Sequence, residues 1–235
     1  MKQLHNIQIQ ILKKLLFTPS RRYSLLKPKK DMDNNQFNFH LETLIQSGYV
    51  VKLTNEYSLT TLGKEFANRI DEKDNMIILQ AKISVMLCVI NGDEDKQYLI
   101  YTRLKHPFFG CQGFLTGKIS YGETVIETAI RELKEETNLD GLPQLVGIKH
   151  FRVFDKNTDN LIEDKFLYFC KIQNPQGELK ANNEGKFEWV RESNLKSYMT
   201  NPFVSFEDIM KYINEVRNFK GNISFDEIDS SGDKF

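Results

Sequence analysis

The feature that most constrains the fold is the stretch from Gly117 to Leu139, with the sequence GKISYGETVIETAIRELKEETNL. A glycine-bearing turn leads into a segment whose apolar residues recur every three or four positions, the period of an amphipathic helix. The apolar side of this helix consists of Val125, Ile126, Ala129, Ile130 and Leu133. The stretch therefore predicts a helix that packs against a sheet, with its polar side left for chemistry.

The polar side of the predicted helix carries three glutamates, Glu132, Glu135 and Glu136. Glu132 and Glu136 are four residues apart, so they lie on one side of a helix and repel each other. A bound cation would offset this repulsion, and carboxylate oxygens suit a hard ion such as Mg²⁺ or Mn²⁺. Arg131 is placed to pair with Glu127 and Glu135, each four residues away. The alternative is a solvated charged helix, and the spacing of the whole stretch argues against it.

The fixed positions of this stretch resemble the Nudix box, G-x5-E-x7-R-E-x2-E-E-x-G-U, where U is an aliphatic residue. The matching residues are Gly117, Glu123, Arg131, Glu132, Glu135, Glu136 and Leu139. Asn138 stands where the family has glycine, and asparagine tolerates the left-handed conformation that ends many helices. The resemblance extends over about residues 76 to 218. It implies a Nudix α/β/α sandwich with a mixed sheet.

The resemblance also implies an activity, a Mg²⁺- or Mn²⁺-dependent pyrophosphohydrolase that cleaves a nucleoside diphosphate linked to another group, X. The implied metal ligands are Gly117, Glu132, Glu135 and Glu136, and the implied catalytic residues are Glu135, Glu136, Arg131 and Glu123. Arg103 and Lys118 are candidates for binding the substrate phosphates. The general base stays open between a box glutamate and a later carboxylate, Glu184 or Glu163. Phe154 lies roughly where ADP-ribose hydrolases often have proline, which argues against that substrate without selecting another.

The predicted secondary structure of the same region supports the resemblance. Predicted strands cover 77–90, 97–104, 108–115, 141–155, 161–173 and 187–190, and a last helix covers 205–219. Strands interleaved with helices indicate an α/β or α+β class. Trp189 is interpreted as a core residue of the last strand.

Composition and charge narrow the function classes. The 235 residues suit one or two domains, and 40% hydrophobic with 27% charged residues is typical of a globular protein. The net charge is zero, so no overall electrostatic field favours binding to nucleic acid or to a membrane. Three widely separated cysteines, without a CxxC motif, argue against a zinc site and for a reducing compartment. No signal-peptide pattern or membrane-spanning apolar run occurs in the sequence, so we expect a cytoplasmic protein.

Residues 1–71 are predicted to form a separate first domain with a net charge of +5, followed by a domain over 76–220 and a mobile acidic tail over 221–235. Helical patterns cover 5–17, 22–26, 34–46 and 61–70, and two short strands flank a turn at Thr54 and Asn55. The buried side of the third helix is predicted to hold Phe37, Phe39, Leu41, Leu44 and Ile45. This order of elements resembles a winged helix-turn-helix domain.

The second resemblance implies binding to double-stranded DNA through the third helix. Candidate contacts to bases and phosphates are Asn35, Gln36, Asn38, Lys27, Lys29 and Lys30. Because this helix contains no arginine or lysine, docking of a protein partner stays an alternative, and His40 is interpreted as a satisfied packing residue. Two function classes result, a hydrolase and a transcription regulator that senses a nucleotide metabolite, and the intact glutamates favour the hydrolase.

Nudix domains and winged-helix domains both often form dimers, so we expect a homodimer.

Overall fold

The computed structural model describes residues 4–70, 80–155, 157–180, 185–221, 223 and 225. These residues separate into two compact units, one within Met1–Gln80 and the other within Ala81–Asp229. The predicted boundary near 71–76 and most of the predicted tail over 221–235 lie outside the described residues. The limits of the predicted domains therefore stay predictions.

The first unit combines helices with a small antiparallel sheet in the strand order β1-β3-β2. Its elements are α1 (Asn6–Leu16), β1 (Arg21–Arg22), α2 (Tyr23–Leu26), α3 (Asn34–Gln46), β2 (Val50–Lys52), β3 (Glu56–Leu59) and α4 (Thr61–Ala67). The Asp33 side chain accepts a hydrogen bond of 2.9 Å from the Gln36 N–H and caps α3, as expected of an aspartate before a helix. The predicted helices and hairpin are thus confirmed to within a few residues, and α4 ends at Ala67 rather than at Ile70.

The core of the first unit confirms part of the predicted buried side of α3. Phe37, Leu41 and Leu44 are buried, but the prediction for Phe39 is wrong because its side chain is 67% exposed. Residue 39 lies two positions from both 37 and 41, which is more than half a turn of a helix with 3.6 residues per turn. His40 is buried and stacks on the His5 ring at 4.4 Å. The prediction of a packing histidine is thus confirmed, but its Nδ1 has no hydrogen-bond partner among the described atoms, so the prediction that it is satisfied is wrong.

The second unit is built on a mixed sheet in the strand order β10-β5-β4-β9-β8, with β6 paired to β5 and β7 paired to β4. The strands are β4 (Lys82–Asn91), β5 (Gln97–Arg103), β6 (Gln112–Gly113), β7 (Leu115–Lys118), β8 (Gln144–Phe154), β9 (Leu161–Gln173) and β10 (Gly185–Arg191). Strands β4 and β9 run parallel and the other pairs are antiparallel. The single strand predicted over 108–115 is wrong, because Phe108 and Gly110 have φ angles of 66° and 81° and turn the chain before β6.

Helices cover both faces of this sheet, as predicted. They are α5 (Val125–Thr137), a 3₁₀ turn (Glu192–Asn194), α6 (Leu195–Tyr198) and α7 (Phe206–Asn218). Successive side chains of a strand point to opposite faces, and β4 is buried on both. Val85 and Leu87 therefore join the core that contains Leu133 of α5, whereas Met86 joins the core that contains Ile213 of α7.

The described helices and cysteines add two smaller findings. No helix in the described part of the chain is long and apolar enough to cross a bilayer. Cys88, Cys111 and Cys170 are all free thiols, and the first and last of them are buried. Burial raises the pKa of Cys170 to about 12, so this thiol stays protonated near neutral pH.

Candidate active site

The ends of α5 are fixed by local hydrogen bonds. The Thr124 hydroxyl accepts a bond of 3.2 Å from the Glu127 N–H, and the Glu127 carboxylate accepts one of 2.9 Å from the Thr124 N–H, which together form a capping box. Asn138 ends the helix with a φ of 61°, so its predicted role as a left-handed cap is confirmed. Because the two ends are fixed, the polar side of α5 has a defined orientation.

The apolar side of α5 packs as predicted, with one exception. Val125, Ala129 and Leu133 are buried, and Ile126 is half-buried. The prediction for Ile130 is wrong, because this side chain is 41% exposed and lies at the margin of the buried side. The contact surface of the helix is therefore narrower than the sequence pattern indicates.

Arg131 is the centre of the polar side of α5. Its Nε and Nη2 donate to the two oxygens of Glu123 at 2.5 and 2.8 Å, and its Nη1 donates to Glu132 at 2.9 Å and to Glu135 at 3.0 Å. Nη2 also donates to the Lys118 carbonyl at 3.1 Å. The predicted pairing with Glu135 is confirmed. The predicted pairing with Glu127 is wrong, because the Glu127 carboxylate is engaged in the capping box. Arg131 pairs with Glu123, from the turn before the helix.

Glu123 ties this turn to the helix. Its carboxylate accepts hydrogen bonds from the Ser120 N–H at 3.0 Å and the Thr128 hydroxyl at 2.9 Å in addition to those from Arg131. Hydrogen bonds from Arg131, the backbone of Ser120 and Thr128 lower the pKa of Glu123 to about 2. Glu123 and Arg131 thus hold the turn and the glutamate side chains in place. Neither residue lines the cleft described below.

We predict that this carboxylate stabilises the folded protein in a pH-dependent way. Because its folded pKa of about 2 lies below the ordinary value of 4.5, the stabilisation is complete above about pH 4.5 and is lost as the pH falls towards 2. The Glu123→Gln variant should therefore be less stable than the wild type at pH 7, and the difference should shrink below pH 4.5. Urea unfolding at a series of pH values measures it, and a difference that stays constant down to pH 2 would contradict the assignment.

Glu132 lies against Gly117 of β7. Its side chain is 13% exposed, and a Cβ added to Gly117 would lie 2.0 Å from the Glu132 Cδ, so only glycine leaves room for this carboxylate. Burial raises the pKa of Glu132, Arg131 opposes that rise, and the charges of Glu136 and Glu135 add to it. A carboxylate in such surroundings gains from a nearby cation.

An open cleft of about 500 Å³ brings most of the predicted site residues together. Its predicted members are Arg103, Gly117, Lys118, Glu132, Glu135 and Glu136. The cleft also contains Lys82, Lys105, His106, Glu163 and Lys165, of which only Glu163 is singled out by the sequence. The other predicted candidate for the base, Glu184, lies outside the described residues.

The two predicted phosphate-binding residues differ in their surroundings. Arg103 donates from Nε to the Pro107 carbonyl at 2.6 Å and from Nη2 to the His106 carbonyl at 3.4 Å, so it holds the loop after β5. Lys118 is exposed at the end of β7, and its own backbone carbonyl accepts the hydrogen bond from Arg131. The Lys118 ammonium is thus freer than the Arg103 guanidinium, and the phosphate-binding role of both residues stays a prediction.

The donor atoms of the cleft fit a hard divalent cation. The carboxylates of Glu132, Glu135 and Glu136 and the Gly117 carbonyl supply oxygen ligands only, and the raised pKa of Glu132 marks a place where positive charge is favourable. Among the described side chains, no three carboxylate, histidine or cysteine groups converge on one point as they stand. Arg131 binds one oxygen of Glu132 and one of Glu135, so the second oxygen of each carboxylate is left for an ion once the side chains converge.

Lys165 and Lys82 line the cleft but were not predicted, and a spacing in the sequence points to the first of them. Glu163 and Lys165 are two positions apart on a predicted strand, so they share one face of it. Lys82 stands beside Lys165 through the parallel register of β4 and β9. This register joins residues 83 positions apart and follows from the sheet rather than from local spacing.

Comparison with known proteins supports the assignment of the second unit. The model of the NUDIX domain matches residues 81–210, more than half of the chain. An ADP-ribose pyrophosphatase of Methanocaldococcus jannaschii is 31% identical over 164 residues, which cover 67% of this chain and 92% of that protein. Nudix hydrolase 2 of Arabidopsis thaliana is 25% identical over 147 residues, 60% of this chain and about half, 49%, of that protein.

Among solved structures, this chain is similar to the NUDIX domain of Shewanella oneidensis NrtR in complex with ADP ribose. That chain has a TM-score of 0.49 and 17% identity, and the alignment covers 68% of this chain and 97% of the other. The family match and the pyrophosphatase relative cover the same region that holds the glutamate helix and the cleft. From these matches and from the residues of the cleft, we conclude that the chain belongs to the Nudix family and is a hydrolase of phosphoric anhydride bonds.

Proposed function

We propose that this chain is a Mg²⁺- or Mn²⁺-dependent enzyme that hydrolyses a nucleoside diphosphate linked to X, with ADP-ribose as the first substrate to test. The observation that carries the proposal is the cleft, which is lined both by three glutamates of α5 and by a set of lysines. ADP-ribose is favoured by the relative from Methanocaldococcus jannaschii, whose name gives that substrate. Phe154, where such enzymes often have proline, remains the feature against it.

The proposed roles follow from the contacts of each residue. Glu132, Glu135, Glu136 and the Gly117 carbonyl would hold the ion, which when bound neutralises diphosphate charge and lowers the pKa of a water. Arg131 fixes the carboxylates in the free protein, and Glu123 fixes Arg131.

The loop and lysine residues complete the proposed site. Lys118, and the loop that Arg103 holds, place positive charge where phosphate oxygens would lie. Opposite charges within one cleft suit a ligand that carries both phosphate and metal ion.

A substrate screen tests this proposal. Purified protein is incubated with ADP-ribose, dinucleotides and nucleoside diphosphate sugars in the presence of Mg²⁺, Mn²⁺ or EDTA. Water should add across the anhydride of ADP-ribose and give AMP and ribose 5-phosphate with either ion, and EDTA should abolish the reaction. Hydrolysis of another nucleoside diphosphate derivative would correct the substrate, whereas no metal-dependent hydrolysis of any of them would refute the proposal.

We further propose that the first unit is a winged helix that binds double-stranded DNA, which would make the chain a regulator as well as an enzyme. The order α1-β1-α2-α3-β2-β3 and the sheet order β1-β3-β2 support this proposal. Lys29, Lys30, Asn35 and Gln36 are exposed around the start of α3, where DNA contacts are expected.

Two of the candidate DNA contacts are engaged within the unit. The Lys27 ammonium donates to the Met32 carbonyl at 3.1 Å and to Asn34 Oδ1 at 2.5 Å. The Asn38 amide oxygen accepts a bond of 2.5 Å from the Tyr23 hydroxyl. Both side chains therefore contribute to the shape of the unit, and Lys29 and Lys30 are the better candidates for phosphate contacts.

We predict that DNA affinity falls steeply with salt and that the double variant Lys29→Ala, Lys30→Ala flattens this dependence. Each lost phosphate contact lowers the slope of log affinity against log salt by about 0.9, so the double variant should lose up to about 1.8. Gel-shift titrations at several salt concentrations measure the slope. Lys64→Ala, on α4, is the control that should leave it unchanged. Intact protein that binds no DNA at low salt would favour the protein-docking alternative.

We also predict a homodimer at micromolar concentration, since paired domains would present two copies of α3 to a palindromic site. Sedimentation velocity on the full chain should give a species of twice the 27.5 kDa chain mass. A single species of 27.5 kDa would contradict this prediction and leave the hydrolase proposal untouched.

A further inference from the structure

The sheet wall of the cleft holds a buried carboxylate between two lysines. Glu163 of β9 accepts hydrogen bonds from the Lys82 ammonium at 3.1 and 3.3 Å, and the Lys165 ammonium lies 3.6 Å from its Oε1. The side chain of Glu163 is 7% exposed, that of Lys165 19% and that of Lys82 56%. All three residues line the cleft that contains the glutamates of α5.

The charges of this group do not balance. One carboxylate between two ammonium groups leaves one positive charge, and the desolvated position of Lys165 makes an unmatched charge costly. Burial lowers the pKa of Lys165, and the Glu163 charge opposes that change. An anion in the cleft would complete the group, because it adds a negative charge beyond the single carboxylate that pairs with these lysines among the described residues.

Lys165 also marks a boundary within the site. Its ammonium lies 5.4 Å from the centre of the Phe151 ring, within the range of a cation–π contact. It lines both the polar cleft and an adjoining apolar pocket, whose lining includes Met86, Phe114, Leu167, Ile209 and Tyr212. An anion held by Lys165 would therefore lie at the point where the polar and apolar parts of the cavity meet.

We propose that Lys82 and Lys165 form an anion subsite that binds a diphosphate group of the substrate from the side opposite the α5 glutamates, and that Glu163 positions the two lysines rather than acting as the general base. The identification of the anion as a diphosphate rests on the proposed function. Both ammonium groups already engage the Glu163 carboxylate, and this contact suits a residue that holds the two lysines in place. This assignment leaves the base to another residue.

Binding of inorganic pyrophosphate tests the subsite independently of which nucleotide is the substrate. Calorimetry on the full chain in EDTA avoids the metal site. Lys165→Met should weaken pyrophosphate binding by about 10-fold to 100-fold, the loss expected for one hydrogen bond between charged groups. Lys82→Met should have a smaller effect, because this side chain is 56% exposed. The control is Lys211→Met, which removes an exposed lysine of α7 that pairs with Asp208.

The possible results separate clearly. Wild-type affinity in Lys165→Met would overturn the subsite, and so would an equal loss in Lys211→Met or the absence of millimolar binding in the wild type. If Lys165→Met does not fold, as judged by circular dichroism, Lys82→Met still decides the matter, since wild-type affinity in that variant would overturn the proposal. A protein that binds pyrophosphate through these lysines yet hydrolyses no nucleotide would refute the proposed function and not the subsite.

Glu163→Gln, assayed with whichever nucleotide the protein hydrolyses, distinguishes positioning from base catalysis. A positioning role predicts a raised KM, a kcat within about threefold of wild type, and an unchanged acidic limb in the pH profile of kcat. Loss of a general base would instead lower kcat by about 100-fold or more and remove that limb, and this result would overturn the role assigned to Glu163.

Discussion

Glu136→Gln should lower kcat by about 100-fold or more while leaving the fold unchanged. The amide keeps the shape of the side chain but removes one of the negative charges proposed to hold the ion. Even groups that only orient metal ligands are worth about 10-fold to 100-fold in metal affinity or activity, so loss of a ligand charge should cost at least as much. The measurements are kcat at saturating substrate and Mg²⁺, and the rise in Tm on addition of Mg²⁺, which ion binding to the folded state produces.

The control for this prediction is Glu178→Gln, an exposed glutamate of the same unit that does not line the cleft. It should keep both the wild-type kcat and the Mg²⁺-dependent rise in Tm. Wild-type turnover together with a wild-type Tm response to Mg²⁺ in Glu136→Gln, with a substrate in hand, would show that Glu136 is not a metal ligand. A lost Tm response with unchanged turnover would show that Glu136 binds an ion that catalysis does not need, and this result would also contradict the prediction.

The second large effect is expected from Gly117→Ala. The added Cβ would lie 2.0 Å from the Glu132 Cδ and 2.4 Å from its Oε2, so the carboxylate must move away from its present position. Such overpacking typically costs about 1–3 kcal/mol of unfolding free energy. Because the displaced carboxylate is a proposed metal ligand, kcat of the folded variant should also fall by roughly 100-fold, as expected for Glu136→Gln.

A double-mutant cycle with Glu132→Ala identifies the cause. In a protein that already lacks the Glu132 carboxylate, the alanine at 117 has nothing to displace, so it should lower neither kcat nor stability further. The double variant should therefore match Glu132→Ala in activity and exceed Gly117→Ala in stability. Additive losses would mean that the glycine acts through the backbone of β7 rather than through Glu132.

Much of the site could be predicted from the sequence because it is local. The helix, its Asn138 end, and the common side of Glu132, Glu135 and Glu136 all follow from the period of a helix and from the spacing of the residues. The pairing of Arg131 with Glu135 follows from the same period. The match of residues 81–210 to the family confirms the wider assignment of this region.

The errors arose where more than one local arrangement was possible. Both Glu123 and Glu127 lay within reach of Arg131, and the capping box at Thr124 decided between them by engaging Glu127. Phe39 and Ile130 fitted an apolar pattern but lie outside the contact surface, since the breadth of that surface depends on the packed neighbour. An apolar pattern predicts the side of a helix that packs, and the neighbour determines how much of it is covered.

The sequence by itself determined the helix, its Asn138 cap and the three glutamates that line the cleft, because these depend on contacts within about a dozen residues. Only the tertiary structure decided which lysines share the cleft. Lys82 and Lys165 stand side by side because β4 and β9 pair in parallel, and the closeness of Gly117 to Glu132 depends on how α5 packs across β7. Such contacts are set by sheet register and helix packing, which depend on the whole core of the unit, and no local spacing in the sequence specifies them.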